Sequence, residues 1–284
     1  VKLFGQETVQ YNRPNNVTLQ SVITQYLPAA QAAGCFSALE GLSGGSVHFN
    51  AGGREYVARH QLASPQPGVS LSRHFRALNR MPQRIAPRPV CLADGWLIVE
   101  WQTGEVKSQL PSLQSLSALL YDLHQQNCFG WRISLLPLLE HYWLMAAPER
   151  KRVSWLRLLK KMKRQGEPKP LRLAPLHMDV HAGNLVLQPQ GLKLIDWEYA
   201  GDGDVALELA ATMAANNICD DSLIRAYAQW SHIPLETLTR QAARWRPWVM
   251  MLMASWYECR WRQTQDRTFI TLADEAWSQL REKN

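Results

Sequence analysis

His177, Asp179, His181 and Asn184 crowd into "PLHMDVHAGNLVL", residues 175 to 187, and "LKLIDWE" places Asp196 twelve residues after Asn184. Short polar side chains in a loop can serve their own backbone, but packing does not call for this density of them. Two chemistries use such groups. Imidazoles at i and i+4 can share a zinc ion. Against zinc, Pro175, Gly183 and Asn184 disfavour a continuous helix, and no other His or Cys cluster supplies further ligands. Phosphoryl transfer accounts for more of the residues. It needs a carboxylate to take the acceptor's proton and hard oxygen ligands for magnesium. Asp179 and Asn184 have the D-x-x-x-x-N spacing of that chemistry, with a histidine two residues before the aspartate. Asn184 offers a neutral oxygen and Asp196 a charged one. A hairpin from 185 to 196 would return the second to the first.

The flanking sequence must position these groups. Residues 17 to 33 read as a helix leading into "FSALEGLSGGSVHFNAGGREYVARH", two strands around a Gly-rich turn and then a Gly-Gly hairpin. A helix follows near 69 to 80, with Leu71, Phe75 and Leu78 on one face. "RPVCLADGWLIVEW" reads as two short strands joined through Asp94-Gly95. After "QTGE" the pattern turns helical over 112 to 126, 134 to 165, 204 to 230 and 235 to 281. "LVLQPQGLKLIDW" is the exception, a tight hairpin inside the helical half. The expected class is therefore α+β, a small strand-rich part followed by a larger helical part, changing near Gly104.

Composition bounds the setting. The chain has 284 residues, 46% of them hydrophobic, and 12 tryptophans, which argues for a packed globular protein. No apolar run reaches the ~18 residues of a membrane span, and the polar "VKLFGQETVQYNRPNN" lacks the apolar core of a signal peptide. Five scattered cysteines, never in C-x-x-C spacing, are the usage of reduced thiols. A cytoplasmic protein is the expectation. The net charge of +7 is local: residues 149 to 172 hold ten Lys or Arg and two Glu, leaving 21 basic and 22 acidic side chains elsewhere. Trp155, Leu158, Leu159 and Met162 recur there at helical spacing, so the segment reads as a surface helix with a solvated cationic face. Nucleic acid is not the expected partner.

"LHMDVHAGN" followed by "LIDWEYAGDGD" resembles the aminoglycoside phosphotransferase and choline kinase family. The resemblance implies a two-lobed, protein-kinase-like fold, with 1–103 as N-terminal lobe and 104–284 as C-terminal lobe. It implies ATP and Mg2+, and an alcohol as acceptor. Carried onto this chain, it makes Asp179 the catalytic base, Asn184 and Asp196 the metal ligands, and His177 a support for the loop. His181 and Gly183 would shape the turn, and Asp204 and Glu208 would anchor the loop.

The same family places ATP contacts in the N-terminal part. "GLSGGS", with Gly41, Gly44, Gly45 and Ser46, resembles the loop over the phosphates and lacks the G-K-[ST] ending of a P-loop. Arg59 in "YVARH" stands where relatives carry a phosphate-holding lysine, and an arginine can grip phosphate bidentately. The acidic helical partner usual for that lysine is missing, since "LSRHFRALNR" offers His74 and no acid. "VEWQTGE" resembles the hinge, where backbone around Glu100 to Gln102 would meet adenine. For an alcohol carried on an organic cation, aromatic faces beside a carboxylate suit the charge. Trp197, Glu198, Trp248, Trp256 and Glu258 are the candidates, although Trp245, Trp248, Leu252, Trp256 and Cys259 also form a helical stripe that favours core packing. The arginine-rich helix around them, with its single glutamate, disfavours a polycationic aminoglycoside. Choline or an amino sugar remains an alternative acceptor, and a basic binding protein on a dead kinase fold is the non-enzymatic alternative.

Overall fold

A computed structural model of the chain describes residues 13–27, 37–38, 45–61 and 66–282. It divides into two compact units, residues 1–64 with 87–102, and residues 65–86 with 103–284.

The first unit is built on one antiparallel sheet in the order β1-β2-β3-β5-β4. Its strands are β1 (Ser37–Ala38), β2 (Ser46–Ala51), β3 (Arg54–His60), β4 (Pro89–Ala93) and β5 (Trp96–Glu100). Strand periodicity decides which side chains go inside: Val47, Phe49 and Ala51 of β2 are buried while their neighbours are not. Gly52-Gly53 and Asp94-Gly95 close the two hairpins with positive φ at all four residues, the conformation that two-residue loops between twisted strands require. Helix α1 (Arg13–Tyr26) supplies Leu19, Val22 and Ile23, spaced to share a face, to a core with Phe49, Trp96 and Ile98. The expected helix over 17 to 33 thus stops at Tyr26, and residues 28–36 lie outside the described residues.

The break after Gln102 lies beside the expected change near Gly104, but residues 65–86 cluster with the helical unit and not with the sheet that flanks them in sequence. They carry α2 (Leu71–Arg80), capped by Ser70, whose hydroxyl accepts the Arg73 N–H. Partners explain the placement. Arg80 donates to the Cys128 carbonyl, Arg84 forms a two-point pair with Asp122 at 2.7 Å, and the Leu194 N–H donates to Ile85 O.

The helical unit contains α3 (Leu113–His124), α4 (Leu135–Met145), α5 (Val153–Gln165), α6 (Val205–Ala215), α7 (Ser222–Ser231), α8 (Leu235–Thr264) and α9 (Arg267–Glu282). Each of the three long helical stretches read from sequence is broken. The first is interrupted by a 3-10 turn over Pro148–Arg150, the second after Ala215, and the third at Gln265, whose left-handed backbone ends α8. Strands β6 (Glu105–Val106), β8 (Leu185–Gln188) and β9 (Gly191–Leu194) form a three-stranded sheet, and β7 (Leu173–Leu176) pairs with β10 (Gly201–Asp204). The predicted hairpin is therefore present as β8–β9. Among the described residues no helix is long and apolar enough to cross a membrane.

Candidate active site

β7 leads into the polar loop, a 3-10 turn over Ala182–Asn184 follows, and β8–β9 then carries the chain to Asp196. The hairpin register pairs Leu185 with Leu194, and the Ile195 N–H donates to Asn184 O at 3.0 Å. Asp196, one residue on, is thereby returned to the Asn184 end of the loop. Met178 and Asp196 both take left-handed backbone, φ 68° and 67°. That conformation is costly for a side-chain-bearing residue and persists only where surrounding bonds impose it.

At Met178 those bonds come from Glu208, in the first turn of α6 and fully buried. Its two carboxylate oxygens accept the backbone N–H groups of His177 at 2.6 Å and Met178 at 2.8 Å. Each is a charge-assisted bond worth about 1.5–3 kcal/mol, and together they hold the turn on which Asp179 sits. Asn216 adds a third tie, donating to Val180 O at 2.8 Å.

His177 is the hub of the loop. Nδ1 accepts the Asp179 N–H at 3.2 Å, so Nε2 carries the proton and donates to Ile195 O at 2.9 Å. Burial lowers its pKa against the pull of Glu208, Asp179 and Asp196 and keeps the ring neutral. Trp197 packs edge-on against it at 4.8 Å and donates to Leu194 O. His177 thus ties the turn of Asp179 to the strand end that carries Asp196.

Asn184 Nδ2 donates both to the Asp179 carbonyl and to Asp179 Oδ2, each at 2.9 Å. The amide oxygen is left pointing elsewhere. His181 caps the 3-10 turn by accepting the Gly183 N–H on Nδ1, with Nε2 3.7 Å from Asp179 Oδ2. Its pairing with Asp179 raises its pKa against the opposing effect of burial. Both nitrogens of His177 are therefore committed and His181 turns one to the backbone, so the two rings do not converge on a zinc ion. Among the described residues no group of three His, Cys, Asp or Glu side chains could hold a metal.

The sequence pattern of the phosphotransferase enzyme family matches residues 38–248. This chain belongs to the phosphotransferase enzyme family. It is 49% identical over 269 residues, 94% of this chain and 97% of the relative, to the thiamine kinase of Escherichia coli O157:H7. Among solved structures, the choline kinase LicA of Streptococcus pneumoniae superposes with a TM-score of 0.73 at 13% identity, covering 95% of this chain and 99% of that one. An aminoglycoside-3'-phosphotransferase of type VIII does so with a TM-score of 0.62 at 20% identity, covering 85% and 100%. These structures share the fold, the α+β, protein-kinase-like architecture that the motif implied.

Two further acids near the loop, Asp202 and Asp204, are structural. Asp202 accepts the Phe129 and Gly130 N–H groups at 2.7 Å each. Asp204 caps α6 through the Ala206 N–H and accepts from Gln241 at 2.6 Å and Trp245 at 2.8 Å, fastening α8 to β10. The expected anchoring of the loop thus falls to Glu208 alone of the pair Asp204 and Glu208. Asp202 was not singled out, although it stands in the quoted "GDGD".

Of the residues expected to contact nucleotide, Gly41 and Gly44 lie outside the described residues. Gly45 has φ 89°, and β2–β3 pairing sets Ser46 opposite Arg59, whose Nε donates to Ser46 Oγ at 3.2 Å. The Glu100 and Trp101 N–H groups donate to Arg88 O and Glu55 O, and the Gln102 side chain folds back onto the carbonyls of both.

The acceptor candidates separate. Trp197 packs on His177, Trp248 is buried in α8, and the Glu258 carboxylate is taken by Arg150 at 2.9 Å and by Trp277 Nε1 at 3.0 Å. These three are internal. Trp256 donates to the Tyr199 hydroxyl at 3.2 Å, though Arg260 lies 5.7 Å from its ring. Burial raises the Tyr199 pKa, reinforced by Glu198, Tyr142 and Asp179, and burial with Asp179 and Glu275 does the same for Tyr257. Tyr199, bonded by Trp256, thus feels the charges of both Glu198 and Asp179, and Tyr257 that of Asp179, two tyrosines outside the sequence expectations. Both are sequence neighbours of shortlisted residues, which is the only signal that pointed to them.

Proposed function

We propose that this protein is a thiamine kinase, transferring the γ-phosphoryl group of ATP to the hydroxyethyl oxygen of thiamine to give thiamine monophosphate and ADP. The near full-length likeness to the Escherichia coli thiamine kinase carries this reading. It covers 94% of this chain and 97% of the relative, well beyond the phosphotransfer motif.

In the proposed mechanism Asp179 accepts the hydroxyl proton as that oxygen bonds to the γ-phosphorus and the bond to ADP breaks. His177, neutral and anchored at both nitrogens, keeps the turn from yielding. Asn184 and Asp196 would hold magnesium, which supplies charge neutralisation to the phosphates when bound. The donor set fits: one neutral and one anionic hard oxygen, with the Asn184 amide turned so that its nitrogen faces Asp179. Ser46 and Arg59 of the first unit, with Gly44 and Gly45, are the proposed phosphate contacts, and Glu100 to Gln102 the proposed adenine contacts. Glu198 and Trp256, with Tyr199 and Tyr257, are the proposed thiamine contacts.

The test is kcat/KM for thiamine, choline, an aminoglycoside and hydroxyethylthiazole at fixed ATP and magnesium, with product mass recorded. Thiamine and choline are both cations with a primary alcohol, so discrimination must come from ring area and the aminopyrimidine. A site that pairs such polar groups rejects an analogue lacking them by orders of magnitude. Equal values for thiamine and choline would retain a kinase and remove thiamine as its acceptor.

A further inference from the structure

The basic segment that stood out by its charge plays no part in the phosphotransfer loop, yet it walls a cavity of about 340 Å³ between the 148–150 turn, α5 and α9. That volume lies in the range of small-ligand sites. Arg150, Arg152, Arg157 and Lys161 supply its charge, and Trp155 and Trp277, ring centroids 4.9 Å apart, supply aromatic surface.

The charges are unevenly answered. Arg150 is held by Glu258 and Asp274, and Arg152 by Asp274. Arg157 and Lys161, one turn apart on the exposed side of α5, meet no carboxylate among the described residues. The two indoles differ in the same way. Trp277 Nε1 donates to Glu258, whereas Trp155, 2% exposed, has an N–H that finds no acceptor. The α5 N-terminus also lacks a side-chain cap, and such ends favour an anion. An unanswered positive pair on the wall of a cavity that two indoles also line calls for an anion with a flat apolar body.

We propose that this cavity binds a small aromatic phosphate ester, its ring against the indoles and its phosphate held by Arg157 and Lys161. A concave site walled by tryptophan suits one ring and one phosphate. A nucleic acid or membrane surface would instead call for a broad exposed basic face.

The probe is 1-naphthyl phosphate, titrated calorimetrically into the full chain saturated with ADP and magnesium so that the nucleotide site is filled, with 1-naphthol as the uncharged control. One saturable site is expected for the phosphate and none for the naphthol. The double variant Arg157→Gln, Lys161→Gln, whose changes are on the surface, should weaken binding by about tenfold or more and leave turnover without the probe unchanged. Trp155→Phe, which replaces the indole with a smaller ring, should weaken it separately. No saturable binding at millimolar probe, or equal binding by the double variant, overturns the proposal. So does binding of RNA or acidic vesicles, lost in the double variant, with the naphthyl phosphate ignored.

Discussion

Asp179, the proposed base, sits on a turn whose backbone is left-handed at Met178 and whose N–H groups end on one buried carboxylate. On the proposed mechanism, Asp179→Asn keeps the size of the side chain and removes the proton acceptor. Turnover should fall by about 10² to 10⁴, while ATP affinity measured by nucleotide titration stays close to wild type. Glu208 makes a different prediction, because it touches no reactant. Glu208→Ala would leave two buried N–H groups unpaired, each costing about 1–3 kcal/mol, so both urea midpoint and turnover should drop. Glu208→Gln should recover part of the stability, since an amide still offers one oxygen. Unchanged stability in the alanine variant would show that the loop is held by something else. At the metal, Asp196→Asn removes the charged ligand of the proposed pair, and activity should fall while becoming more dependent on added magnesium. An activity that ignores magnesium concentration would contradict that assignment.

The elements that hold these residues were legible where local rules suffice. Gly-Gly, Asp-Gly and the alternation around them marked the sheet hairpins, and β8–β9 was readable as the device that returns Asp196 to Asn184. The helices were legible as regions and not as segments. The breaks at Pro148–Arg150 and Gln265 fall in short polar stretches, exposed over 262–267, which a coarse reading of the flanking apolar faces runs together. One of those breaks carries a clamp. Arg150 at the 3-10 turn pairs with Glu258 on α8 and with Asp274 on α9, joined there by Arg152. Burial works against the Asp274 charge, but bonding and attraction to Arg150 and then Arg152 outweigh it and lower its pKa. The sign follows. A depressed folded value adds stability that is complete above the ordinary carboxylate range near 3.8 and is lost as pH falls through the folded value. Asp274 is 48% exposed, and solvent screening keeps the contribution to about 1 kcal/mol or less. Asp274→Asn should therefore lower the Tm slightly at pH 7 and make no difference at a pH well below that range. An equal deficit at both would rule out the ionic account.

Across the whole molecule, the proposed acceptor site draws on segments far apart in sequence: Asp179, Glu198 with Tyr199, and Trp256 with Tyr257. Cation–π contacts contribute about 0.5–2 kcal/mol. Trp256→Leu should thus raise the KM for thiamine by up to roughly thirtyfold and leave the KM for ATP alone. A shift in both would mean that α8 had been disturbed, not the pocket. The residues proposed to carry phosphotransfer stand out in the chain by itself, because the reaction demands particular side-chain types at short spacings within one loop and one hairpin. Family and architecture followed from the same few residues. Which of Trp197, Trp248, Trp256, Glu198 and Glu258 is internal was legible only in the tertiary packing. A helical stripe of tryptophans satisfies a core and a pocket equally well. Burial and partner assignment separate them, as when Glu258 ends on Arg150, 108 residues away, and Glu208 on the turn beside Asp179. Such pairings depend on where distant helices come to lie, and no local spacing encodes that.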